Sequence, residues 1–237
     1  MQAPRIEEYY RYSNEKKILS ELLTQEFRDN YRSALDVGAG NGRISQILSD
    51  RSSKLSLCEP NEFYQKTLKE KFPMATLLPL PIQNAILENY DCILASQSMY
   101  YHPQENWIPI IERLMRHLDC GGDLHLIVNS DQGDWWDAVK GIWSVTPETL
   151  GFNYFPSSRL IQKLSKMYHL KTKRFSYQLQ FPDRISLENY IKRSCVPFKT
   201  KTPELESILK SYLQSIPADN LHMDYLSDLI SLKRLDL

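Results

Sequence analysis

The chain has 237 residues, 42% hydrophobic and 24% charged, enough to bury the core of one domain carrying a cap. Its 29 Lys and Arg balance 29 Asp and Glu, and no basic run exceeds "KTK", which argues against a nucleic-acid partner. No apolar stretch approaches the ~18 residues of a membrane span, and the polar opening "MQAPRIEEYYRYSNEKK" lacks the apolar core of a secretory signal. The expectation is a cytoplasmic chain with no membrane partner.

Residues 14–28 carry Ile18, Leu22, Leu23 and Phe27 at helical spacing. Short apolar runs then alternate with amphipathic ones. "SALDV" (33–37) reads as a first strand, followed by a helix through Ile44, Ile47 and Leu48. "KLSLCE" (54–59) is a second strand, with a helix from about Glu62 to Phe72 after it. "ATLLPL" (75–80) is a third, interrupted by prolines, and "DCILAS" (91–96) a fourth. "NWIPIIERLMRHL" forms the next helix, and Cys120-Gly121-Gly122 reads as a turn into a fifth strand, "DLHLIV" (123–128). Strands alternating with helices in this way predict a parallel sheet with crossover connections. Beyond it, "PSSRLIQKLSKMY", "SLENYIKRSCVPF" and "TPELESILKSYLQSI" read as helices, "LKTKRFSYQLQF" (170–181) as a strand, and "YLSDLISLKRL" (225–235) as a closing strand. Cys58, Cys92, Cys120 and Cys195 lie far apart, without zinc or redox spacing, and read as reduced thiols; no metal site is expected.

Three of the eight glycines fall within five positions, in "SALDVGAGNGRIS". Gly38, Gly40 and Gly42 stand between a strand ending at Val37 and a helix expected from about Asn41. Glycine tolerates positive φ and lets a ligand approach the backbone without a Cβ in the way. Such a turn is a nucleotide-binding position, and amides exposed at the following helix start are expected to face polar or anionic ligand groups. The spacing Asp36-x-Gly-x-Gly-x-Gly is not the G-x-G-x-x-G of dinucleotide enzymes, and no Lys-Ser or Lys-Thr follows to make a P-loop. Glu59, after the apolar "LSLC", has the reach and chemistry to accept both hydrogen bonds of a ribose diol.

"LDVGAGNGRIS", "LCEPN", "YDCILASQSMYYH" and "GGDLHLIV" together resemble the successive motifs of class I S-adenosylmethionine-dependent methyltransferases, over roughly residues 30–130. The resemblance implies an α/β, Rossmann-like, doubly wound sheet of seven strands. Its order would be 3-2-1-4-5-7-6, with strand 7 antiparallel. It implies S-adenosyl-L-methionine as cofactor and S-adenosyl-L-homocysteine as product. Asp36, Gly38, Ala39, Gly40, Glu59, Pro60, Gln83, Ser96 and Gln97 would line the cofactor. Gly38 and Gly40 would pack on its methionine and ribose part, while Asp36 would orient the turn or reach the methionine amino group. Glu59 would hold the ribose hydroxyls. "PLPIQN" offers Gln83 or Asn84 where the family often places an acidic residue for the adenine.

"SQSMYYH" (96–102) lacks the Asn/Asp-Pro-Pro-aromatic motif and is similar to the Gln-x-x-Tyr-Tyr of histamine N-methyltransferases. That narrower resemblance implies Gln97, Tyr100, Tyr101 and Glu21 as acceptor-side residues, with Asp224 and one of Trp135, Trp136 and Trp143 near them. A cap would come from 1–30, 131–155 and 181–222, on a monomer or weak dimer. A neutral nitrogen acceptor needs no strong general base near pH 7, so positioning can supply most of the acceleration. Other readings stay open. Tyr100 and Tyr101 read equally as core aromatics, the tryptophans as packing, and Glu21 as a solvated helix residue. The enzyme could methylate oxygen, carbon or protein, or bind the cofactor without turnover. His102 is the one histidine beside the expected cofactor loop.

Overall fold

A computed structural model of the chain describes residues 9–145, 156–195 and 203–234. Residues 1–8, 146–155 and 196–202, parts of the three expected cap segments, lie outside the described residues. Seven strands form one sheet: β1 (Tyr31–Val37), β2 (Ser52–Cys58), β3 (Thr76–Leu78), β4 (Tyr90–Ser96), β5 (Leu118–Asn129), β6 (Leu170–Gln180) and β7 (His222–Lys233). Their order is β3-β2-β1-β4-β5-β7-β6. β1 pairs in parallel with β2 and β4, β2 with β3, and β4 with β5, whereas β7 runs antiparallel to β5. The expected topology is the observed one.

The helices are α1 (Glu15–Glu26), α2 (Ser45–Ser49), α3 (Glu62–Lys71), α4 (Trp107–Arg116), α5 (Asp134–Val145), α6 (Ser157–Leu164), α7 (Arg184–Cys195) and α8 (Pro203–Ser215). Three features, two helices and one strand, differ from the sequence reading or add to it. The second helix begins at Ser45 rather than near Asn41 and has only 5 residues. The run from Cys120 to Gly122 lies inside β5, where the register against β4 shifts between Tyr90 and Cys92. Three extra residues of β5 there are absorbed as an irregularity instead of ending the strand. α5 arises in a segment read only as an insertion, and its buried Trp135, Ala138 and Val139 have helical spacing.

The described residues divide into two compact units. The sheet unit contains the described parts of Lys16–Asn129, Tyr154–Phe175 and Ser227–Leu237. Leu19 and Leu23 of α1, Phe27 just after it, Leu48 of α2 and Leu68 of α3 pack with Ala34, Leu57, Cys92 and Leu94 of the central strands. Leu35 and Ile93, one residue out of phase, are also fully buried, so both faces of β1 and β4 are covered. The second unit contains the described parts of Met1–Glu15, Ser130–Asn153 and Ser176–Leu226. Its core is aromatic: the Tyr225 ring stacks on Trp135 (5.5 Å) and on Tyr177 (5.2 Å), and its hydroxyl meets that of Tyr190 at 2.7 Å.

In the sheet unit, β7 is fastened by a charge. Asp228, 2% exposed, accepts the Ser157 hydroxyl at 2.6 Å and Arg174 Nε and an Nη at 2.8 and 3.0 Å. Losing one partner of a buried pair costs about 3–5 kcal/mol, less where the other can reach water, and Arg174 is 39% exposed. Asp228→Ala should therefore lower the unfolding free energy by about 2–3 kcal/mol. Asp228→Asn, which still accepts from Ser157, should lose about half as much. Urea denaturation of both variants checks the ordering.

Candidate functional site

The order 2-1-4-5 reverses direction between β1 and β4, and in open α/β sheets the crevice at the carboxyl ends of such strands is where ligands bind. Two loops meet there. Gly38 follows β1 at φ +76°, and a Cβ placed on it would lie 2.4 Å from Ser98 Cβ, so glycine is required for the β1 loop to touch the β4 loop. Gly40, at φ +54°, has open space on its Cβ side, with only the Gly38 carbonyl at 4.0 Å. The two positions thus need glycine for different reasons: internal packing at Gly38, backbone conformation beside open space at Gly40.

The amides of the turn's glycines and of Ala39 are already engaged within the protein. Gly38 and Ala39 donate to the Cys58 carbonyl (2.8 and 3.2 Å), Gly42 to Ala39 (3.0 Å), and Gly40 to Glu59 Oε2 (2.8 Å). This corrects the expectation of exposed helix-start amides, since α2 starts late and is short. Glu59, 6% exposed, also accepts from Asn61 N at 2.8 Å through Oε1, so it braces the turn as well as ending β2. Burial pushes its carboxyl up, with the two amide bonds pulling the other way. Asp36, 3% exposed, accepts the Ser45 hydroxyl at 2.6 Å and ties β1 to α2. Of the two roles open to it, orienting the turn is the one this bond performs.

At the end of β4 three consecutive residues carry buried polar atoms with no hydrogen-bond partner: Ser96 Oγ, Gln97 Oε1 and Ser98 Oγ. Native proteins rarely leave such atoms unpaired, so a run of three makes this edge a candidate site. Gln97 adopts φ +54°, the only positive φ outside glycine among the described residues. Its amide nitrogen donates to Asn129 Oδ1 at 2.9 Å. Tyr100 is 5% exposed, packs edge-on to Trp107 and takes the Asn129 amide on its hydroxyl, whereas Tyr101 is 57% exposed. Of the tyrosine pair, the first fits the core reading.

The remaining candidates scatter. Pro60, Gln83 and Asn84 are exposed. Gln83 Nε2 donates to His102 Nδ1 at 3.0 Å, and burial lowers the His102 pKa, which favours the neutral ring that accepts this bond. Glu21 is exposed on the face of α1 opposite Leu19 and Leu23. The buried carboxylate belongs to Glu15 instead, 2% exposed in the second unit. Its charge raises the Tyr9 pKa after burial does, together with Tyr177, Tyr190 and Tyr225. The signal was present, since Glu15 stands four residues before Leu19 on the apolar stripe. In that unit Trp135 is buried, Trp136 half-buried, and Asp224 accepts Gln178 Nε2 at 2.7 Å; the Trp143 side chain lies outside the described residues. A polar cleft of about 380 Å³ at the opposite strand ends of the sheet unit is lined by Arg28, Arg32 and Asp91. There Arg28 pairs with Asp123, and Arg32 with Asp91 and Asp119.

No family model and no curated protein matches the chain. Solved structures do. BH2331, a methyltransferase candidate from Bacillus halodurans C-125, aligns with TM-score 0.67 at 16% identity, covering 92% of this chain and 99% of that one. N-methyltransferase NodS from Bradyrhizobium japonicum WM9, bound to S-adenosyl-L-homocysteine, gives 0.57 at 12% identity, over 94% and 86%. The plantazolicin methyltransferase BpumL, bound to the same molecule and a pentazolic desmethylPZN analog, gives 0.53 at 14%, over 94% and 84%. The chain has the methyltransferase Rossmann-like fold. Within that fold no helix among the described residues is long and apolar enough to cross a membrane.

Burial pushes the Asp36 carboxyl up to about 6; the Ser45 bond and Lys16 oppose this and Glu59 adds to it. A carboxyl raised on folding holds its proton more tightly in the native state, so stability falls as pH rises from about 4 to 6, by about 3 kcal/mol for this group. Asp36→Asn should remove that fall. Variant minus parent unfolding free energy should increase by about 2–3 kcal/mol between pH 4 and 7, measured by urea denaturation at each pH.

Proposed function

We propose that the chain is an S-adenosylmethionine-dependent methyltransferase acting on a nitrogen of a small amine or imidazole-type acceptor. The observation that carries this reading is the glycine turn closed by Glu59 and set against the unpaired polar edge of β4. A turn whose amides are already bonded, flanked by two buried carboxylates, suits an adenosyl cofactor without phosphates. It disfavours NAD and ATP, whose phosphates seek free amides and positive charge. Glu59 would hold the ribose hydroxyls with its remaining lone pairs, Gly38, Ala39 and Gly40 would offer the close backbone, and Pro60 and Gln83 would border the adenine. His102 would orient the Gln83 amide through its bond to Nε2. When bound, the cofactor supplies an electrophilic methyl group on a sulfonium. The S-adenosyl-L-homocysteine in NodS and BpumL supports this choice of cofactor.

Ser96 and Gln97 would face the acceptor side, with Tyr101 as the exposed aromatic surface beside them and Tyr100 holding the loop. The chain's contribution is positioning: it holds a neutral lone pair ready and needs no base, since an imidazole or similar nitrogen is largely uncharged near neutral pH.

Calorimetry should show binding of S-adenosylmethionine and S-adenosyl-L-homocysteine and none of NAD or ATP; the reverse would overturn the assignment. Glu59→Gln should weaken S-adenosyl-L-homocysteine by about 10- to 100-fold, the worth of charge-assisted hydrogen bonds. Gln97→Ala and Tyr101→Ala should lower labelled-methyl transfer to a panel of small amines and imidazoles while leaving cofactor affinity within about twofold. Label found only on oxygen or on protein would keep the cofactor and end the nitrogen reading.

A further inference from the structure

Among the described residues of the sheet unit, four carboxylates are buried: Asp36, Glu59, Asp91 and Asp228. Asp91 pairs with Arg32 and Asp228 with Arg174, each at 2.8 Å. Asp36 and Glu59, which flank the glycine turn, form no ion pair among the described residues. Neutral donors hold them instead: the Ser45 hydroxyl at 2.6 Å on Asp36, and the Gly40 and Asn61 amides at 2.8 Å on Glu59. Lys16 of α1 acts on Asp36 through space, and Glu59 acts against it. Burial keeps the neighbouring thiols of Cys58 in β2 and Cys92 in β4 uncharged. A buried charge without a counter-ion is costly, so the crevice holds more negative charge than the protein itself neutralises.

A second observation marks the same place. Ser98, 5% exposed, has an unpartnered Oγ 3.4 Å from where a Cβ on Gly38 would stand, and Gly40 borders open space. A charge in a low-dielectric wall acts over several ångströms, so Asp36 needs no exposed oxygen to act on a ligand. We propose that Asp36 and Glu59 make the crevice charge-selective, holding the sulfonium of S-adenosylmethionine more tightly than the uncharged thioether of S-adenosyl-L-homocysteine. This rests on the methyltransferase reading for the identity of the ligands. The two differ by one methyl group and one positive charge and share every hydrogen-bonding group. Contacts to the shared groups cannot separate them, whereas unmatched negative charge can. Such a site resists blockage by its own spent cofactor. Burial raises the Asp36 carboxyl to about 6, so its charge is present at pH 7 and largely lost at pH 5. The selectivity should follow that charge.

Calorimetric titration of both ligands into the full chain at pH 5 and pH 7 tests this, in a window where their own α-amino groups stay largely protonated. At pH 7 the parent should bind S-adenosylmethionine about fivefold or more tighter than S-adenosyl-L-homocysteine. At pH 5 that ratio should fall by about fivefold, the effect of a sulfonium that weakens the Asp36 hold on its proton about tenfold. Asp36→Asn, which still accepts from Ser45, should give one low ratio at both pH values. With the parent alone, titrations at pH 6 in two buffers of different ionisation heat should show proton release on binding S-adenosylmethionine and little on binding S-adenosyl-L-homocysteine. An unchanging ratio in the parent, tighter binding of S-adenosyl-L-homocysteine at pH 7, or equal proton release would each overturn the proposal. So would a pH-dependent ratio that survives in Asp36→Asn. Binding of neither ligand would overturn the cofactor reading and the proposal together, whereas binding of both with a flat ratio overturns the proposal alone.

Discussion

The Glu59 carboxylate joins two loops: one oxygen takes the Gly40 amide and the other the Asn61 amide. Gly40 sits in the turn after β1, and Asn61 caps α3 by accepting from Phe63 N. The same carboxylate thus holds the glycine turn in its left-handed conformation and fixes where α3 starts. Glycine takes positive φ without strain but is free to leave it, and here the bond to Glu59 acts with those of Gly38 and Ala39 to the Cys58 carbonyl to hold one conformation. Burial makes the charge costly and the two amide bonds offset that cost. The crevice is built around a negative brace, which sets the kind of ligand it suits.

The other wall follows a different logic. Gly38 lets the β1 loop approach Ser98, and the chain then leaves β4 through a left-handed Gln97 with unpaired polar atoms on three successive residues. Strain and unsatisfied groups are tolerated where function needs them and are otherwise removed by selection or relaxation. Tyr100, Asn129 and Ser227 form the rigid backing that makes such an arrangement sustainable. A positive turn-side constraint and a strained, backed β4 edge are complementary parts of one design.

Most of the sheet was legible because parallel strands buried on both faces read as continuous apolar runs, as "CILA" in β4 and "LIV" in β5 do. The glycine spacing and Glu59 were legible because positive φ and an acidic strand end are local demands on residue type. What the sequence could not disclose was where each hydrogen bond ends. That the turn's amides are consumed by Cys58 and Glu59 depends on the register of β1 against β2. That Asn129 and Ser227 meet Gln97 depends on pairing between strands about a hundred residues apart in the chain, with separations of 32 and 130 residues from Gln97. Glu21 follows from the narrower family resemblance alone and is exposed, whereas Glu15 lies on the apolar stripe of α1 and is buried, which a list of the apolar positions of that stripe does not reveal.

The most direct measurement of the account is a crystal structure of the protein grown with S-adenosyl-L-homocysteine. The account predicts density at the carboxyl ends of β1 and β4, with the ribose hydroxyls on Glu59, the backbone of Gly40 against the ligand, and its sulfur toward Gln97. Density in the polar cleft of Arg28, Arg32 and Asp91 at the opposite strand ends, with the glycine turn untouched, would contradict it.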